Sequence, residues 1–79
     1  MKNNKLSKEK FVYGMEYLSG YYTSLKIDLD NRLVQKIWYD VFSKFSDEDF
    51  EKIIVGYCDE NIYPPQSPSN ILEYAKNIL

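Results

Sequence analysis

The chain contains no histidine. The commonest general base, the commonest neutral metal ligand and every imidazole-centred triad are therefore missing, which removes the usual basis for hydrolytic chemistry. A single cysteine, Cys58, leaves no partner for an internal disulfide. Small extracellular domains are usually stapled by several, so a reducing, cytoplasmic location is expected. No apolar run approaches the roughly 20 residues of a membrane span, and Met1–Lys10 lacks the apolar centre of a signal peptide. Ten basic side chains against twelve acidic ones give a net charge of −2, without the basic surplus on which non-specific nucleic-acid binding rests. What is present is one core's worth of apolar residues: 79 residues, 44% apolar and 16% aromatic, suffice for a single small domain and not for two.

The charge is polarised along the chain. Residues 1–10 carry +3, residues 11–46 sum to zero, residues 47–60 carry −5 and residues 61–79 sum to zero. Residues 1–6 show no periodicity and are predicted to be a frayed, disordered, solvated lead-in. The rest, 7–79, is expected to form one helical domain. Ser7 is a good N-cap and Glu9 suits the positive end of the helix dipole, so a first helix is predicted over about 7–22. Phe11, Met15, Leu18 and Tyr22 share one face, and Gly14 beside them leaves room for another helix to approach. Gly20 lies on the opposite side and weakens the helix end.

Ile27 and Leu29 lie in an extended connection. Asp30 is the candidate N-cap of a second helix, about 31–45, whose Leu33, Val34, Ile37, Trp38, Val41, Phe42 and Phe45 cover half the circumference. That width predicts the central helix of the domain. Ser46, followed by Asp47, Glu48 and Asp49, caps a third helix, about 47–58, with Phe50, Ile53, Ile54 and Tyr57 inward. Pro64 and Pro65 interrupt the pattern, and Ser67-Pro68 starts a last helix, about 68–79, through Ile71, Leu72, Ala75 and Ile78. The expected fold is all-α: a compact four-helix domain with a Pro-Pro loop before the last helix. Its predicted core is Phe11, Met15, Leu18, Tyr22, Val34, Ile37, Trp38, Val41, Phe45, Phe50, Ile53, Ile54, Tyr57, Ile71, Leu72 and Ile78.

Motifs that could carry chemistry fail on inspection. Asp28 to Arg32 begins like a calcium loop, but Leu33 stands where the turn glycine belongs and Tyr39 where the bidentate glutamate belongs. Asp47, Asp49 and Glu51 are better explained as helix-capping acids. Cys58 is followed by Asp59 and Glu60, which oppose thiolate formation. No catalytic, metal or cofactor residue is assigned, and the chain is not expected to be an enzyme. The Pro65-Gln66-Ser67-Pro68 stretch matches PxxP and reads more simply as a rigid loop. The turn at Ser46 invites a helix-turn-helix reading, yet the acids that follow would face phosphates. Eight tyrosines remain. By wheel angle Tyr13, Tyr17 and Tyr39 point away from the core stripe, and exposed tyrosine is the composition of a protein-binding face. Together with Lys36 these are the candidate partner-binding residues.

The order of these features resembles a known family. Phe11 and Gly14 in the first helix, the Tyr21-Tyr22 pair, Lys36-Ile37-Trp38-Tyr39, Phe50, and Tyr63-Pro64-Pro65 leading into Ser67–Tyr74 are similar to the N-terminal domain of the replicative helicase loader and inhibitor proteins of phages of Gram-positive bacteria. The likeness covers about residues 8–79. It implies an all-helical, non-enzymatic protein of a phage or mobile element, cytoplasmic in its host. Such a protein binds a hexameric DnaB-type helicase or its loading machinery and inhibits or delivers it, with no cofactor and no direct role for nucleic acid or membrane. In that family a flexible C-terminal tail contributes to helicase binding, whereas this sequence stops inside a predicted helix. Two alternatives stand beside it: a small helical DNA-binding protein acting at an origin or promoter, and a self-associating helical module.

Overall fold

The computed structural model describes residues 5–25 and 27–79; expectations for Met1–Asn4 and Lys26 lie outside them. Four α-helices follow in chain order, α1 (Lys8–Tyr21), α2 (Arg32–Phe42), α3 (Asp47–Glu60) and α4 (Pro68–Ile78), with no strand among the described residues. The fold is all-α, as expected. Serines open three of the four helices. The Ser7 hydroxyl accepts the Lys10 N–H at 3.1 Å and the Ser46 hydroxyl the Asp49 N–H at 3.1 Å, caps worth about 1 kcal/mol each. Ser67 precedes Pro68, and the Asn70 side chain reaches back to accept the N–H groups of Gln66 and Ser67. At α2 the cap is Asn31 and not Asp30: the Asn31 carboxamide accepts both Leu33 N–H and Val34 N–H, at 2.9 and 3.2 Å.

Helix ends moved where backbone groups found other partners. α2 was predicted to reach Phe45 and stops at Phe42, where the chain turns: Phe45 N–H donates to Phe42 O, the Ser43 hydroxyl donates to Asp40 O, and Leu6 N–H takes the carbonyl of Ser43, the C-cap. α3 runs two residues further than expected, to Glu60, where Asn61 closes it with both its backbone and its side-chain N–H on Tyr57 O.

The central helix is α3, not α2. It packs against both α1 and α4, whereas α2 packs on α4. Ser7 meets Asp47 at one end and Tyr22 meets Asn61 at the other, so α1 and α3 run parallel. Leu6 against Ser43 turns α2 antiparallel to α1. An edge helix cannot bury half its circumference. Ile37, predicted as core, is therefore 49% exposed and Leu33 is 64% exposed, while Val34, Val41 and Phe45 are half-buried. Ile78, also assigned to the core, is exposed in the last turn, and Leu72 is half-buried. Buried positions outside the predicted core list are Leu6, Phe42, Cys58 and Ala75.

Leu6 overturns the end of the predicted lead-in: it is 2% exposed, with its N–H on Ser43 O and its carbonyl accepting the Tyr39 hydroxyl at 2.6 Å. Gly14 has the role expected of it. A methyl group there would stand 2.6 Å from Cζ of Phe50, a fully buried ring that also touches Phe11 and Phe42. Gly56 does the same for Tyr74, whose ring packs edge-on against Tyr57.

Candidate functional site

α1 and α2 do not pack along their lengths. They are tied where the Phe11 ring meets Tyr39 edge-on at 5.3 Å and where Leu6 is clamped, and beyond that point a groove of about 450 Å³ opens between them. Its floor is apolar, formed by Phe11, Met15, Leu29 and Tyr39, with Val12, half-exposed, as one wall. Its rim carries Lys8, Glu16, Arg32 and Lys36. The Gln35 amide donates to Leu29 O and fixes the end of the interhelix connection against α2. Lys36 Nζ donates to Asp40 Oδ2 at 2.8 Å, one turn on, and this hydrogen bond holds the ammonium pKa above its ordinary value. The lysine is charged at any physiological pH. Exposed apolar surface framed by charged side chains is the composition of a protein-docking surface.

The four residues singled out from sequence do not form one patch. At about 100° per residue, Tyr13, Tyr17 and Tyr21 project from the flank of α1 opposite to Lys8, Val12 and Glu16. Tyr13 is 46% exposed beneath the Lys10 ammonium, which bonds Glu51 of α3. Tyr17 is half-buried, and burial raises its phenol pKa. From there ring contacts pass through Tyr21 and Tyr22 to Tyr57 and Tyr74. Lys36 and Tyr39 lie across α1 in the groove. Tyr39 was expected to point away from the core; it instead packs on Phe11 and its hydroxyl is spent on Leu6. The wheel of α2 alone could not show this, because it requires knowing that Leu6 folds back. Val12, Leu29 and Arg32 were given no part in a binding site from sequence, since each joins one only through where α2 lands.

Asp47 and Tyr22 join elements of the fold. Asp47 accepts Ser7 N–H at 2.8 Å and the Ser7 hydroxyl at 2.9 Å, joining the starts of α1 and α3, and these bonds hold its pKa below the usual carboxylate range. Tyr22, buried, donates to Asn61 O at 2.7 Å, and its burial drives the phenol pKa well upward. Cys58 is buried, and desolvation pushes its thiol up to about 11. A buried thiol with its pKa raised in this way is a poor nucleophile at neutral pH. Among the described residues no group of carboxylates and cysteine is arranged to hold a metal ion, and no helix is long and apolar enough to cross a membrane. No family model, curated protein or solved structure matches the chain.

Proposed function

We propose that this chain is a non-enzymatic protein-binding module that docks a partner protein in the α1–α2 groove. The observation that carries the reading is the groove itself: a trough over the buried Phe11 and Met15, lined by the half-buried Leu29 and Tyr39, walled by the half-exposed Val12 and ringed by charged side chains. Following the family resemblance, the partner is a DnaB-type replicative helicase or its loader, which the protein inhibits or delivers in the cytoplasm of a bacterial host carrying a phage or mobile element. The sole thiol is buried and protonated, and Asp47, the acid best placed by its hydrogen bonds, serves a helix junction.

The DNA-binding alternative has less support, because α3, the helix that would enter a groove, packs against both α1 and α4 and begins with Asp47, Glu48 and Asp49. The test is gel filtration of the nuclease-treated protein with a purified DnaB-type hexamer from a Gram-positive bacterium, followed by the helicase's ATPase rate. Co-elution and an altered ATPase rate are expected, both abolished by Val12→Asp. Failure to co-elute, or a complex indifferent to Val12→Asp, would refute the assignment of the groove.

A further inference from the structure

The charge around the groove indicates the chemistry of what fills it, an inference that rests on reading the groove as a docking site. Its rim has three basic side chains, Lys8, Arg32 and Lys36, against Glu16 alone, in a chain whose net charge is −2. Lys36 is partnered by Asp40, whereas neither Lys8 nor Arg32 takes part in an ion pair among the described residues. Arg32 is also the first residue of α2, where the helix dipole already supplies positive charge and the first turn holds no acidic residue, the nearest in sequence being Asp30 and Asp28 in the preceding turn. α1 and α3 do the reverse, with Glu9 in one first turn and Asp47, Glu48 and Asp49 in the other.

Shape selects the form of the occupant. No strand edge is present among the described residues, so an extended segment has no ladder to join. Two antiparallel helices with an apolar trough between them present ridges and grooves suited to a third helix. The wall from Lys8 to Glu16 measures about 12 Å at the helical rise, roughly two turns of contact. We infer that the α1–α2 groove receives an acidic amphipathic helix of the partner, its apolar stripe on Phe11, Val12 and Tyr39 and its flanking carboxylates against Lys8 and Arg32.

Two fluorescein-labelled peptides of about 18 residues, long enough to hold a helix, test this: both carry the same leucine stripe on an alanine-rich background, one flanked by glutamate and the other by lysine. Each is titrated into the full chain by anisotropy, and the contact surface is mapped by amide chemical-shift changes. The glutamate peptide is expected to bind at least about tenfold more tightly at low salt, with the difference shrinking as salt rises. Shifts should fall on Phe11–Glu16 and Arg32–Tyr39. Arg32→Glu, at an exposed position, should reverse the preference, and Val12→Asp should remove binding of both peptides. Equal affinity, a preference for the lysine peptide, shifts on other residues, or no binding by either would overturn the inference. So would concentration-dependent self-association shifting the same residues, which would give the groove to a second copy. A helicase complex unaffected by Arg32→Glu would sink the acidic helix and leave the proposed function standing; a glutamate peptide that binds where the helicase does not would do the opposite.

Discussion

Two glycines of one helix should respond to the same substitution with opposite signs. In a helix interior, Gly→Ala gains about 1 kcal/mol of propensity. At Gly20, in the last turn of α1, nothing lies within 4 Å of the added methyl, and neither glycine has a positive φ, so Gly20→Ala should be stabilising by up to about that gain. At Gly14 the methyl would stand 2.6 Å from Phe50 Cζ, where carbon atoms prefer about 3.5–4.0 Å. The ring has nowhere to go: it is fully buried, with the Phe42 and Phe11 centroids 5.5 and 6.2 Å away. Overpacking of this kind costs about 1–3 kcal/mol, which against the propensity gain leaves Gly14→Ala about 0–2 kcal/mol less stable than the parent. The two variants should differ by about 1–3 kcal/mol, a gap in Tm on the order of 5–20 °C for a domain this size. Thermal and urea unfolding followed by far-ultraviolet circular dichroism measures it. Adding Phe50→Leu to Gly14→Ala should recover part of the loss. A Gly14→Ala protein as stable as Gly20→Ala would refute the close approach of α1 and α3.

Asp47 titrates below its ordinary pKa because Ser7 donates two hydrogen bonds to its charged form, so its stabilising effect is complete above the unfolded value of about 4 and disappears as pH falls through the depressed folded value. Urea midpoints should show Asp47→Asn less stable than the parent at neutral pH and the two converging in acid; a gap that persists at low pH would contradict the linkage. Tyr39→Phe keeps the edge contact with Phe11 but leaves Leu6 O without its donor, at a cost of about 0.5–1.5 kcal/mol by urea unfolding, whereas Tyr13→Ser on the exposed flank should stay within about 0.5 kcal/mol of the parent. Cys58 should not react with a disulfide reagent in the native protein and should react at once in urea, while rapid native labelling would show that the α1–α3 interface is open.

Within-helix signals were legible in the sequence. Serines 7, 46 and 67, Pro68 and the glycine beside the Phe11–Leu18 stripe act through local chemistry, and they marked helix starts and the close approach of α1 correctly. Relations between helices were not. A wide apolar face reads the same whether a helix is central or sits at an edge with part of that face bare, so α2 was placed at the centre and Leu33 and Ile37 remain in solvent. Leu6 stood alone among lysines and asparagines with no period to mark it, and it is buried because the end of α2 supplies a carbonyl and a tyrosine hydroxyl. The groove follows from that same fold-back. Of the four residues proposed to meet a partner, Lys36 and Tyr39 line it, and Tyr13 and Tyr17 face away across α1.

Hydrogen–deuterium exchange of the full chain, alone and saturated with the purified helicase hexamer, locates the docking surface directly. Protection gained in residues 8–16 and 32–39, and absent from the exposed Ile62–Tyr63 loop, is the predicted result. Protection confined to residues 59–66 or to the tyrosine flank of α1, or no change at all, would contradict the α1–α2 groove as the binding site.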